Sequence, residues 1–116
     1  AYIVCMLDVE VLRGAETEAH FDLGIATQNL LLGAAEQGLF GCRIGAFSPS
    51  AVHRLLQLDN RFKVLLVLAL GYPAETVVLE EVGPDGDIRY WHDDQGVHHV
   101  PKRRLADILI EPPVRA

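Results

Sequence analysis

Near the end of a 116-residue chain, the run HHVPKRR sets His98 and His99 beside three consecutive cations, Lys102, Arg103 and Arg104. That concentration of positive charge stands out in a protein whose formal net charge is −6. It is either a solvated surface run or a site for an anionic ligand such as a phosphate, to which charged donors make strong hydrogen bonds. Just upstream, His92, Asp93 and Asp94 join the two histidines in a group that could suggest a metal. Neighbouring residues on a strand point to opposite faces, so His98 and His99 cannot both ligate one ion easily. They are read as turn and edge residues, and no metal is expected.

Other reactive residue types stand alone. Cys42 beside Arg43 has the makings of a nucleophile with a lowered pKa, but no Ser, His or Asp framework accompanies it. A small buried thiol is the expected reading. The segment GLFGCRIGAF is neither a GxGxxG motif nor a Walker loop, which would need GK[ST]. Its small residues Gly45 and Ala46 would let a flat ring lie against the main chain. Gln28 and Asn29, in mid-helix among apolar residues, should pair locally or face a partner chain or cofactor.

The elements that hold these residues follow from the apolar pattern. Tyr2 to Leu7 reads as a strand covered on both faces. HFDLGIATQNLLLGAAEQ is a helix, with Thr17 as its expected N-cap and Gly38 as its left-handed stop. Phe21, Ile25, Leu32 and Ala35 share one face, while Leu23, Ala26, Leu30, Leu31 and Ala34 cover most of the rest. A helix apolar nearly all round must be buried, in a core or at an interface. Ser48 and Pro49 start a second helix that should turn Val52, Leu55, Leu56 and Leu58 inward. KVLLVLALG is the strongest strand and is expected to be central in its sheet. TVVLEEV, the Gly83–Gly86 turn and IRYWHD read as a hairpin, DDQG leads into VHHVP, and LADILI is a short helix or strand. The order points to an α+β sandwich with one mixed sheet.

Bulk properties narrow the function classes. The length allows one domain, 1–116, and a hydrophobic content of 50% allows a sizeable core. A pI near 5.2 argues against nucleic acid as a partner. The longest apolar run, Val64 to Leu70, is too short to cross a bilayer. Two cysteines without CxxC spacing and no visible signal peptide point to a reducing cytoplasm. The sequence opens directly on a buried-type strand, as a fragment would.

Taken together, DLGIATQNLLLGAAEQGLFGCRIGAF, then VLLVLALGYPAE and VHHVPKR, resembles the C-terminal half of the FMN-dependent nitroreductase family. The match runs from Tyr2 to about Ile110. The resemblance implies a mixed sheet flanked by helices, with the long helix buried at the interface of a homodimer and FMN bound between subunits. It implies that NADH or NADPH reduces the flavin and that a nitroaromatic, quinone or similar acceptor reoxidises it. Ile44, Gly45 and Ala46 correspond to backbone near the flavin ring. Lys102 and Arg103, with Arg104 next to them, correspond to the basic residues on the FMN phosphate. Many members carry a Glu-Gly pair where Gly45-Ala46 stands here, so contact with the ring would be through backbone. The family's N-terminal Arg-rich helix has no counterpart in these 116 residues. The chain is therefore expected to be the C-terminal portion of a nitroreductase-like domain, or a truncated, flavin-free dimerisation module without activity. No side chain is assigned a catalytic role.

Overall fold

A computed structural model describes residues 1–112, so the last four residues of the expected single domain lie outside the described residues. Packing divides the chain into two compact units, Ala1–Pro73 and Ala74–Ala116. The first holds β1 (Tyr2–Asp8), α1 (Glu16–Glu36), β2 (Phe40–Ile44), α2 (Pro49–Leu55) and β3 (Phe62–Gly71). The second holds β4 (Val77–Glu81), β5 (Trp91–His92), β6 (His98–Lys102) and α3 (Leu105–Ile108). The α+β class is as expected, but the one mixed sheet is replaced by two three-stranded sheets, ordered β1-β3-β2 and β4-β6-β5.

In the first unit β3 takes the central position that its apolar run implies, antiparallel to both neighbours. Its alternate residues Val64, Leu66 and Leu68 are buried, and Leu68 is fully enclosed. Leu66 and Leu68 meet Cys5 of β1, with Ile3 and Leu23 packed alongside. β1 is not covered on both faces: it is an edge strand, with Cys5 its one buried residue and Tyr2 and Met6 exposed. Arg61 fixes the end of β1 to the start of β3 by pairing with Asp8 at 2.6 Å and Glu10 at 3.4 Å.

Helix α1 begins one residue before Thr17, at Glu16, with Ala15 as an N-cap that makes no side-chain bond. Glu16 and Glu18 lie in the first turn, where the helix dipole favours negative charge. Gly38 ends the helix as expected, at φ 75°, and the Leu39 amide donates to the Ala34 carbonyl at 3.0 Å. Its inward stripe is Ala19, Leu23, Thr27, Leu31 and Ala34, spaced by three or four residues. The buried Thr27 hydroxyl is satisfied within the helix, donating to the Leu23 carbonyl at 2.8 Å. Phe21, Ile25 and Leu32 lie on the other side, 68%, 64% and 59% exposed. Among the described residues of the first unit the helix is therefore only half covered. Gly41 of β2 marks its closest approach to the sheet. A Cβ there would collide with the Leu31 side chain and stand 3.0 Å from the Ala69 carbonyl oxygen.

The Ser48 cap and Pro49 start of α2 are as expected, with Ser48 Oγ accepting from the Ala51 amide at 3.3 Å. The helix does not turn all four apolar residues inward. Val52 and Leu58 are half-buried, but Leu55 and Leu56 face outward, because seven residues give too few turns to bury a wider stripe.

In the second unit the expected β4–β5 hairpin does not form. The Gly83–Gly86 turn exists, with the Gly86 amide donating to the Gly83 carbonyl at 3.0 Å. The residues after it curl locally instead of pairing: the Arg89 amide and guanidinium both bond the Asp87 carboxylate. Arg89 holds the Asp87 carboxyl at about 2. β4 runs parallel to β6, with Val77 opposite His98, and β5 runs antiparallel to it, with His92 opposite His98. Among the described residues, no helix is long and apolar enough to cross a membrane.

Candidate functional site

Ile44 ends β2 and is half-buried, while Gly45 and Ala46 form an exposed bend before the Ser48 cap of α2. The bend is short because the chain must turn from strand to helix in four residues, and the Phe47 amide donates to the Gly45 carbonyl at 3.2 Å. Around the position that a Gly45 Cβ would take there is nothing within 4 Å, so the main chain there is open to a flat group.

Lys102 and Arg103 lie at the end of β6, both exposed. The Lys102 carbonyl accepts from the Val82 amide at 2.9 Å, which fixes the backbone while leaving the side chain to solvent. Arg104 differs from both. It caps α3 and holds Asp107 through two bonds of 2.9 Å. Donation from Arg104 to the Asp107 carboxylate raises the Arg104 pKa and lowers that of Asp107. Among the described residues, Lys102 and Arg103 have no carboxylate partner, so two of the three cations remain available to an anion. Ile44, Gly45 and Ala46 belong to the first unit, and Lys102 and Arg103 to the second.

The histidines divide between the two faces of β6, as strand geometry requires. His99 stacks on Trp91, ring centroids 4.1 Å apart, and bonds Glu80 and Asp93. Burial alone would push its pKa down, but hydrogen bonds to the Glu80 and Asp93 carboxylates outweigh it and raise it. The Val97 amide, chiefly, holds the Asp93 carboxyl down. On the opposite face His98 meets His92 and Glu75. Glu75 stands in the sequence as the last residue of VLLVLALGYPAE, with no ligand role expected of it. The available signal was the pair of histidines flanking the DDQG turn, which a five-residue hairpin loop sets opposite one another.

A cleft of about 700 Å³ opens in the first unit, with Leu23, Val64 and Leu66 on its apolar side and His20, Arg43 and His53 among its polar ones. That volume is within the range of small-molecule sites. Isolated in sequence, His20 and His53 carried no motif that could have singled them out. The thiols reverse the expected reading: Cys42 is exposed, and the buried one is Cys5, whose pKa burial raises. Gln28 and Asn29 are both exposed on α1.

In a comparison with protein families, a model of the nitroreductase family matches residues 5–72, more than half the chain. The matched span includes Ile44, Gly45 and Ala46 and ends before Lys102 and Arg103.

Proposed function

We propose that this chain, which belongs to the nitroreductase family of flavin-dependent oxidoreductases, binds FMN in a homodimer and serves electron transfer from NADH or NADPH to a small-molecule acceptor. The observation that carries the reading is the family match across the β1–β3 unit. Each unit, taken by itself, holds residues of a kind the cofactor would use. Gly45 leaves open backbone for a flat ring. Lys102 and Arg103 are exposed cations free to take a phosphate, whose planar or point-charge recognition suits Arg and Lys respectively. The bound flavin supplies the hydride chemistry. The chain's part is to orient the ring through the Ile44–Ala46 backbone, to neutralise the phosphate, and to bury the site against a second copy.

The uncovered face of α1 supports that second copy. Phe21, Ile25 and Leu32 form an apolar stripe, and a groove of about 620 Å³ beside it is lined by small residues such as Ala26, Gly33 and Ala34. Faces of this kind on soluble proteins mark interaction sites. With Cys5 and Cys42 both free, a reducing cytoplasm is the matching compartment.

An absorption spectrum tests the reading. The protein purified from its complete reading frame should be yellow and should bleach anaerobically on addition of NADH or NADPH. A colourless protein that also ignores added FMN would favour the flavin-free dimerisation module.

A further inference from the structure

We propose that Glu75, His92 and His98 form a binding site for one divalent transition-metal ion, Zn²⁺ by its donor chemistry. The inference is independent of the flavin reading. It also replaces the expectation that these histidines serve only as turn and edge residues.

The sheet register creates the site. His98 is blocked from sharing an ion with His99, but the antiparallel ladder sets His92 directly opposite it. Such cross-strand pairs share one face. The parallel ladder brings in the third ligand: the His98 amide donates to the Thr76 carbonyl at 2.9 Å, which seats Glu75 next to the pair. Glu75 Oε1 is 3.1 Å from His98 Nδ1, and Glu75 Oε2 is 3.3 Å from His92 Nε2. Ligands about 2.0–2.1 Å from a tetrahedral zinc ion are themselves about 3.3–3.4 Å apart. Each imidazole thus has its own Glu75 oxygen at hydrogen-bond distance, and one ligand atom from each of the three residues lies within 4.8 Å of the other two. An ion would draw that triangle in through the exposed side chains of Glu75 and His92, the His92 ring lying stacked on His98 with centroids 4.5 Å apart.

The identity of the ion follows from the donors. Two imidazoles and one carboxylate suit zinc and leave a fourth position for water, whereas Ca²⁺ and Mg²⁺ favour oxygen ligands throughout. His98 Nε2 is buried without a partner, so Nδ1 is the nitrogen that faces the site. Glu75 and His92 are exposed, which gives an ion access from solvent. The His99 group on the other face offers no such opening. Both of its ring nitrogens are already bonded, to Glu80 and Asp93.

Calorimetric titration with zinc chloride tests the site, in a Cys42→Ser background so that the exposed thiol does not compete. One equivalent should bind saturably. His92→Ala and Glu75→Gln should each weaken binding by at least about tenfold, since even the loss of an outer-shell partner costs about 10–100-fold. His99→Ala should leave affinity unchanged. Circular dichroism on each variant confirms the fold, and His92 is the decisive position because it lies on an exposed edge strand. Absence of saturable binding, or binding that His92→Ala and Glu75→Gln leave intact, overturns the proposal.

Discussion

The two units of this chain solve the problem of stability by different means. In the first, a ten-residue central strand buries Val64, Leu66 and Leu68 against Cys5 and a long helix, and carries apolar surface to spare. In the second, strands of two and five residues enclose almost nothing apolar, and Pro101 is the one buried position among the described residues. Its central strand is dressed instead with polar clusters, one on each face. One unit is thus built around burial and the other around hydrogen bonds and stacked rings. The difference teaches where change should hurt. Apolar truncation should be felt in the first unit, and loss of charge or of imidazole in the second.

The largest effect should come from Leu68→Ala, which empties the best-enclosed site among the described residues and should destabilise by roughly 2–5 kcal/mol. Val100→Ala in the half-buried middle of β6 should cost less than about half as much. Urea unfolding of both variants measures the contrast, and equal losses would dissolve the distinction between the units. Second in size is the paired change Lys102→Ala and Arg103→Ala. Each charged hydrogen bond to a phosphate is worth roughly 1.5–3 kcal/mol, and solvent exposure brings the pair to a tenfold to several hundredfold loss of FMN affinity. Fluorescence quenching at fixed salt reads it, and unchanged affinity would return the cluster to plain surface charge.

A smaller shift is expected from Ile25→Glu on the open face of α1. Sedimentation at low micromolar concentration should find the wild-type chain dimeric and the variant displaced toward monomer. A well-folded wild-type monomer would count against an interface there. The smallest effect should come with acid. Hydrogen bonding from Lys63 holds the Glu16 carboxyl below its ordinary 4.5. Its stabilisation is therefore complete above about pH 4.5 and is lost as pH falls through the lower folded-state value. Melting curves of the wild type and Glu16→Gln should converge as that range is crossed downward. A gap that widens in acid would contradict the assignment.

What was legible in the sequence was local. Ser48-Pro49 announces a helix start because capping is settled within four residues, and Gly38 announces a stop because only glycine takes φ 75° without strain. The apolar run of β3 could be read as central because a strand flanked by two others, one face buried and the other half-buried, leaves little room for polar residues. The misread elements depend on partners far along the chain. Gly83–Gly86 looks like a hairpin turn, yet the strand that pairs with β4 begins at His98. Likewise α1 shows one apolar stripe to the sheet and another to solvent, and composition alone does not tell which is which. At the candidate site, the freedom of Lys102 and Arg103 was foreseeable, whereas the commitment of Arg104 to Asp107 needed the turn of α3. Glu75 was invisible because its place beside two histidines depends on a parallel register.

In both sheets the strand that comes last in sequence is the one in the middle: β3 between β1 and β2, and β6 between β4 and β5. During synthesis the two outer strands of each sheet emerge first and have nothing to pair with. Once the chain has reached Leu58, β1, α1, β2 and α2 are present but neither ladder of this sheet can yet form. β1 must then find a partner some sixty residues away, a closure whose entropic cost precedes any reward in contacts. The first unit should therefore assemble in one late step when β3 slots in, with the apolar edges of β1 and β2 open until then. Those open edges are surfaces on which chains can aggregate, and a chaperone that shields them would have its main work before residue 71 has emerged.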